Sequence, residues 1–566
     1  MIKDKNGNII VNEADVIRRW EEHFCELLNR PEPESLTNWL PIQTAEIQVL
    51  PPTREEIKVA VKSLKNNKAP GNDNLPAELF KNGGEALINQ LEILIHEIWK
   101  EERIPKSWNE SVIIPLHKKN DKLDCTNYRG ISLLQTGYKI FARILYNRLV
   151  IYSEEIIGEY QCGFRRNRST TDHIFTIKQI MEKYWEYGKN LYQLFIDFKQ
   201  AYDSIHRPSI WRILKEFGVP EKLIRLIQVC LSNTTAQVKI SGKLSDLFDI
   251  LSGLKQGCVL SVLLFNIVME KITRTIINRE EGAKLSEHKI LNTTYADDVD
   301  ILAEKKQDLA QVAEPFQHAA QQVGLQINFS KTKIMSMNRN NEDEEDLYIN
   351  GNLIEEVDEF KYLGATLHNK NEMRKEILTR IASANKCYFS LLPIMKKRSL
   401  SKQLKLRVYN TIIKPIALYA SETWTITKET EHRLLVFENT ILRRISGPVF
   451  DANENTWRRR HNNELRAFTN QESIVNCVHR SKLRWAGHVA RMDDSRLPKI
   501  VLSGKMDGRR PRGRPRKRWV DSIECKYSER TGEPGTGWTT AAQDRRRWRG
   551  LVTADRSQAV AQDPPE

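Results

Sequence analysis

Asp297 and Asp298 stand side by side in LNTTYADDVDIL, residues 291–302, a run that otherwise reads as apolar strand. Successive strand residues point to opposite faces and Asp is disfavoured there, so the pair predicts a turn between two short strands. Such a turn would let both carboxylates face the same way. A third acid, Asp197, ends another apolar strand in FIDFKQAYDSIH. Three converging carboxylates suit two divalent cations about 4 Å apart, which clamp the attacking and leaving oxygens of phosphoryl transfer. Asp197 would bridge both ions, Asp297 would be the second main ligand and Asp298 would stand at the periphery. An Asp-Asp dipeptide alone is more often a solvated turn, so the pair gains meaning only from its partners.

Between the acids lies ILSGLKQGCVLSVLLFNIVMEKI (250–272), where a Gly-rich turn with Gln256 and Gly257 feeds a long apolar helix. Without a side chain, Gly257 lets a base or sugar approach the backbone closely. Taken alone, this is an ordinary strand-to-helix turn.

The elements that must position these groups follow from periodicity. Residues 13–30 read as an amphipathic helix, followed by a Pro-rich linker over 31–41. Helices are predicted from 53, over 85–100, 137–150 and 209–218, with strands over 111–119 and 191–197. KAPGNDNLPAELF (68–80) is dense in turn residues. Strand signals fade after 370, and helices are expected over 373–394, 401–420 and 431–447. Mixed helices and short strands without a βαβ repeat give an α+β class. Beyond 503 the chain is rich in Gly, Pro and Arg, a composition that predicts no packed core.

The 566 residues allow three or four domains. A net charge of +15 points to a polyanionic partner, although a membrane-surface protein would show the same number. Residues 451–566 hold 25 Lys/Arg against 15 Asp/Glu, so ten of those fifteen charges sit in the last fifth. The eight cysteines form no C-x-x-C pair, which excludes a zinc ribbon or knuckle and suits a reducing compartment. Cys477, His479 and His488 fit no zinc spacing. No apolar leader or membrane-length apolar run is present, so the reading is a soluble, intracellular protein of nucleus and cytoplasm, with no membrane partner.

Taken together, KAPGNDNLPAE (68–78), NYRGISLL (127–134), QCGFRRNRSTTDHI (161–174), FIDFKQAYD (195–203), GLKQGCVLS (253–261), YADD (295–298), GLQINFSKTK (324–333) and FKYLG (360–364) occur in the order and spacing of one family. The chain resembles the reverse transcriptases of non-LTR (LINE-type) retrotransposons over roughly residues 10–450. The resemblance implies a right-hand polymerase: an N-terminal helical extension and linker (1–50), fingers (51–190), a palm (191–370) and a helical thumb (371–455). A basic, partly disordered tail (456–566) would follow. It implies an RNA-directed DNA polymerase that uses two Mg²⁺ ions, with Mn²⁺ as a possible substitute, RNA template, DNA primer or target DNA, and dNTPs. The alternative is an inactive remnant that only binds nucleic acid.

Carried over by motif, Asp197, Asp297 and Asp298 are the metal ligands, and the Phe198 carbonyl completes one shell. Tyr202 falls where a bulky ring blocks a ribose 2′-OH, or else it is a core aromatic on a turn. Gln256 and Gly257 line the nucleotide and template. Lys118 and Arg129 hold the triphosphate, where cations offset charge on the leaving pyrophosphate. Lys331, or Lys333, is the general acid. Phe360, Tyr362, Leu363 and Gly364 form the hairpin that grips the primer end. The family usually has proline where this chain has Gly130, Val259 and Val262, a departure that bears on turn stiffness rather than on chemistry. The chain begins in the linker that normally follows an endonuclease domain, so it is expected to lack that domain and not to nick its own target.

In the tail, Arg512, Gly513, Arg514 and Pro515 are similar to an AT-hook core, which sinks into a narrow minor groove. Nonspecific phosphate binding is the plainer reading. Trp485, Trp519, Trp538 and Trp548 either stack on bases or anchor a small helical module, and the module is the preferred reading. Asp493 and Asp494 are the only adjacent acids there, too few for a restriction-type nuclease.

Overall fold

The computed structural model describes residues 1–33, 49–338, 345–513 and 515–553. Most of the predicted linker over 31–41, and Arg514 of the AT-hook-like core, lie outside them. Its centre is a six-stranded sheet in the order Asn292–Tyr295, Asp298–Ala303, Leu191–Ile196, Lys333–Met337, Asn352–Glu356, Leu347–Ile349. The central strand, LYQLFI, is buried at every position and antiparallel to both neighbours. A strand buried at every position, Gln193 included, is covered on both faces.

Alternation along that strand sorts the two covers. Leu194 and Ile196 face a core built with Val299, Ile301 and Ile334 and with the helices Val259–Arg274 and Lys306–Gln322. Leu191 and Phe195 face a second core with Leu302, Met335 and the helix Thr170–Tyr187. That second core continues into the C-terminal region, where Trp485, Trp519, Trp538 and Trp548 are all buried. The absence of a packed core expected beyond 503 is therefore not observed. Helices Trp519–Thr531, Trp538–Gln543 and Arg545–Thr553 close one side of the central sheet, and their tryptophans are the anchors. The indole N–H groups of Trp519 and Trp548 donate to the Glu422 and Leu483 carbonyls (2.7 and 2.8 Å), so both rings are held in the module.

A second sheet carries Tyr128–Leu133, Glu110–His117, Thr234–Ile240 and Lys243–Leu244 in that order, with Phe248–Ile250 also on Thr234–Ile240. The predicted N-terminal amphipathic helix forms over Glu13–Leu28, capped by Asn12, and buries Trp20, Phe24 and Leu27 on this sheet. The helix expected from 53 opens with a Thr53–Glu56 capping box. A helical bundle over Met373–Ser390, Lys402–Val408 and Lys428–Ser446 follows the central sheet, with its own core around Trp424 and Tyr409. The mixed α+β class expected from the sequence is the class observed.

Candidate active site

The acidic pair occupies a tight hairpin. Asn292–Tyr295 and Asp298–Ala303 are antiparallel, Tyr295 opposes Asp298, and Ala296 and Asp297 form the two-residue turn. Ala296 takes φ +58°, a conformation that favours glycine, and the surroundings hold it there. The Gln161 side-chain oxygen accepts from the N–H groups of Ala296 (2.9 Å) and Gly163 (2.8 Å). A Cβ at Gly163 would stand 2.3 Å from the Ala296 nitrogen, so only glycine allows this approach. The motif QCGF thus acts as a splint for the acidic turn.

Asp297 lines an open cleft of roughly 770 Å³ with Asp197, Phe198, Tyr202, Gln256, Gly257, Lys118, Arg129 and Lys331. Asp298 begins the next strand and does not line it. Asp298 therefore stands at the edge of the cleft, next to the pair that lines it.

Asp197 ends the central strand. Its carboxylate accepts from Lys331 Nζ at 3.3 Å and Asn328 Nδ2 at 3.2 Å. Burial raises the Asp297 carboxyl above its usual range and the Asp197 charge adds to it, while Arg129 and Lys118 pull it back. Crowding by protein, then repulsion from Asp297 and Asp197, pushes Asp298 up to about 7. The three acids therefore feel one another. Across the cleft, burial lowers the Lys118 ammonium, and repulsion from Arg129 lowers it further. Both cations sit where the strands Glu110–His117 and Tyr128–Leu133 pair, with Leu116 opposite Arg129.

Tyr202 stacks on Phe265, with ring centroids 4.2 Å apart and planes 14° from parallel. Its hydroxyl has no partner among the described residues, and the ring is both packed and a wall of the cleft. Gln256 also lines the cleft, but its amide donates to both oxygens of Asp203 at 2.7 and 2.8 Å. Asp203 is buried enough that its carboxyl rises to about 6. Sequence reasoning missed Asp203, whose signal was its place beside Tyr202 in AYDS. Gly257 has φ +122°, and a Cβ there would meet the Ser132 carbonyl at 2.9 Å. Its missing side chain admits the neighbouring strand, a closer need than any ligand.

Of the two lysine candidates, Lys331 reaches the cleft and Lys333 does not; Lys333 donates to Glu355 and to the Ser330 carbonyl. The hairpin Glu359–Tyr362/Ala365–His368 turns at Leu363 and Gly364, both at positive φ. Phe360 stacks on Phe195 at 4.1 Å, and the buried Tyr362 lies 3.4 Å from His173. The Leu363 and Gly364 carbonyls accept from Tyr419 and Arg380. Phe360 thus ties the hairpin to the central sheet, Tyr362 to the helix Thr170–Tyr187, and the turn itself to the helical bundle, leaving Lys361 at the surface.

The C-terminal region touches the site indirectly. Arg496 pairs with the buried Asp172 and, at 3.2 Å, with Glu159, bracketing the loop that contains Gln161 and Gly163. Arg512, Gly513 and Pro515 are exposed, between Arg510, which pairs with Glu186 at 3.2 Å, and Arg516, which lies over Trp185 at 4.4 Å. His479 contacts Glu431 at 3.4 Å, and among the described residues no three His, Cys, Asp or Glu groups form a ready metal cage. No described helix is long and apolar enough to cross a membrane.

Residues 116–367 match the family model described as reverse transcriptase (RNA-dependent DNA polymerase). The RNA-directed DNA polymerase from mobile element jockey of Drosophila funebris is 29% identical over 448 residues, 75% of this chain and 48% of that protein. The jockey polymerase of Drosophila melanogaster is 26% identical, covering 70% and 44%. The probable RNA-directed DNA polymerase from transposon BS of the same fly is 25% identical, covering 72% and 46%. The chain thus spans about half the length of these relatives. Among solved structures, apo telomerase from Candida tropicalis aligns over 75% of this chain and 74% of its own at 12% identity, with a TM-score of 0.37.

Proposed function

We propose that the chain is a reverse transcriptase of the non-LTR retrotransposon branch and that it extends a DNA primer on an RNA template, a reading supported by the family model over residues 116–367 and by the jockey relatives. The observation that carries the reading is the cleft itself: Asp197 and Asp297 converge on one wall while Lys118 and Arg129 face them from another. In right-hand terms, the central sheet is the palm, the sheet bearing Lys118 and Arg129 belongs to the fingers, and the bundle from Met373 is the thumb.

The donors fit hard cations. Asp197 and Asp297 offer only oxygen, Phe198, whose carbonyl would complete one shell, lines the same cleft, and like charges held together are relieved by an ion. We assign two Mg²⁺ ions to these residues, with Mn²⁺ as a substitute and Asp298 at the edge. When bound, such ions would polarise the α-phosphate and lower the pKa of the primer 3′-hydroxyl. The protein supplies the rest. Arg129 and Lys118 receive the triphosphate and offset charge on the departing pyrophosphate. Tyr202, fixed by Phe265, stands under the sugar and leaves no room for a 2′-hydroxyl. Asp203 holds the Gln256 amide and so fixes the floor beside it. Lys331 provides the proton that the pyrophosphate takes up. The hairpin anchored by Phe360 and Tyr362 presents its turn, Leu363 and Gly364, to the primer end. The exposed arginines around Gly513 add nonspecific phosphate contacts, and the chain works in cytoplasm and nucleus, meeting chromosomal DNA in the latter.

Extension of a DNA primer annealed to RNA, with Mg²⁺ titrated from zero, tests this reading. Template-dependent incorporation that requires the ion supports it. Normal primer–template binding with no incorporation at any Mg²⁺ or Mn²⁺ concentration would make the chain a nucleic-acid-binding remnant.

A further inference from the structure

The chain leaves the helix Lys428–Ser446 through a short two-stranded ribbon, Val449–Asp451 paired with Thr456–Arg458. In this ribbon Phe450 opposes Trp457, which puts both rings on one face. Val449, Asp451, Thr456 and Arg458 share the other. An ordinary ribbon turns its aromatic face to the protein and its charged face to water. Here the order is reversed. Arg458 reaches inward to Asp451 at 2.6 Å and to Glu464 of the helix Asn462–Thr469 at 2.9 Å. Phe450 and Trp457 point out, 47% and 70% exposed, meeting edge to face at 5.6 Å. The ion pairs pin the polar face to the body, so the rings are held away from any core.

Cations follow this face along the chain, and Glu454 in the ribbon's turn is the exposed acid beside it. Arg459 follows Trp457 closely and is exposed. Arg460 lies over a third exposed ring, Phe468, at 4.4 Å, and Lys402 covers the same ring at 4.9 Å. Exposed rings cost free energy in water, and a pinned cluster of them marks a surface that something else covers. The interleaved positive charge selects a polyanion over an apolar protein face. Flat rings with free faces accept unstacked bases, which a duplex keeps paired and stacked.

We propose that the Phe450–Trp457 ribbon is a stacking platform for single-stranded nucleic acid, with Arg459, Arg460 and Lys402 following its phosphates. The proposal rests on the polymerase reading of the chain and adds a second grip, outside the catalytic cleft, for an unpaired strand.

The test uses the full chain and fluorescence anisotropy, at one fixed salt concentration. The probes are a mixed-sequence single-stranded RNA, the same sequence as single-stranded DNA, and the blunt duplex. The variant Phe450→Ala/Trp457→Ala should bind both single strands about tenfold or more weakly and the duplex as the wild type does. Phe450→Tyr/Trp457→Phe, which keeps the ring faces, should restore most of the affinity. Melting curves and dNTP incorporation at saturating primer–template should match the wild type. A loss confined to RNA or to DNA would identify which strand the platform serves. Unchanged single-strand affinity, an equal loss on the duplex, or dissociation of an oligomer in place of lost binding would overturn the proposal. Wild-type protein that binds no probe and incorporates no dNTP would instead remove the polymerase reading. Normal wild-type behaviour with unaffected variants removes this proposal alone.

Discussion

Charge is arranged in opposite ways on the two sides of this molecule. At the cleft, burial raises Asp297, Asp298 at its edge is raised by crowding and by the neighbouring acids, and among the described residues the Asp197 carboxylate accepts from the Lys331 and Asn328 side chains. On the C-terminal side, Glu438 and Asp172 are buried acids with matched partners. Glu438 is fully buried, yet it receives Lys414 at 3.1 Å, Arg466 at 2.8 Å and the Ile474 N–H at 2.8 Å. Arg496 and Asp172 neutralise each other across the seam between the C-terminal helices and the helix Thr170–Tyr187. Matched charge fixes a structure, whereas like charges left together wait for a ligand. Predictions follow from breaking each arrangement in turn.

The largest effect is expected at the seam. Arg496→Ala leaves Asp172 buried and unpaired, which costs about 3–5 kcal/mol. Thermal melting should show a fall well beyond that of a surface substitution, and the double variant Arg496→Ala/Asp172→Ala should recover part of it. Because the pair brackets the splint on the acidic turn, incorporation by the folded fraction of Arg496→Ala should fall while primer–template affinity holds. A drop in activity that merely tracks the unfolded fraction would confine the pair to a structural role.

A buried cation in the same region gives the opposite sign. Burial lowers the Lys482 ammonium to about 7 from 10.5, and Lys517 adds to it; its hydrogen-bond partner is Ser522. The unfolded chain therefore holds a proton that the folded one gives up between those two values. Stability on this account rises from pH 7 to 10.5, and the full penalty is present below 7. Lys482→Met should raise the melting temperature by several degrees at pH 7, a gain of order 2 kcal/mol or more that disappears by about pH 10.5. A gain that does not vary with pH would point to packing instead.

In the cleft, Tyr202→Ala should raise ribonucleotide incorporation relative to dNTP by about tenfold, ~1.4 kcal/mol of discrimination. Tyr202→Phe should change neither, since the hydroxyl has no partner among the described residues. If the alanine variant only lowers melting, the ring serves Phe265 and not the sugar.

Which parts of this were legible in the sequence follows the same divide. Asp197 and Asp297 announce themselves locally, as acids interrupting apolar strands, and the structure brings both to one cleft. Asp203 does not, because its meaning lies in Gln256, 53 residues away. Gly257 looked like room for a ligand, but its need for glycine comes from the Ser132 carbonyl on another strand. Beyond 503 the Arg, Gly and Pro content hid a packed core, although the tryptophans already pointed to a helical module. Trp519, Trp538 and Trp548 are too widely spaced to give a helical period, and the face they cover is built from residues 170–190 and 280–340. Arg496 finds Asp172 at a separation of 324 residues, which no local pattern encodes.

The central claim is that the acidic turn is chemical and not merely a solvated hairpin. It is tested most directly by dTTP incorporation on poly(rA)–oligo(dT) with Mg²⁺, comparing the wild-type chain with Asp297→Ala and measuring template affinity in the same preparations. The account predicts incorporation by the wild type and a loss of about 1,000-fold or more in the variant, ~4 kcal/mol of transition-state stabilisation, at equal template affinity. Incorporation by Asp297→Ala within about tenfold of the wild type, less than ~1.4 kcal/mol, would contradict it.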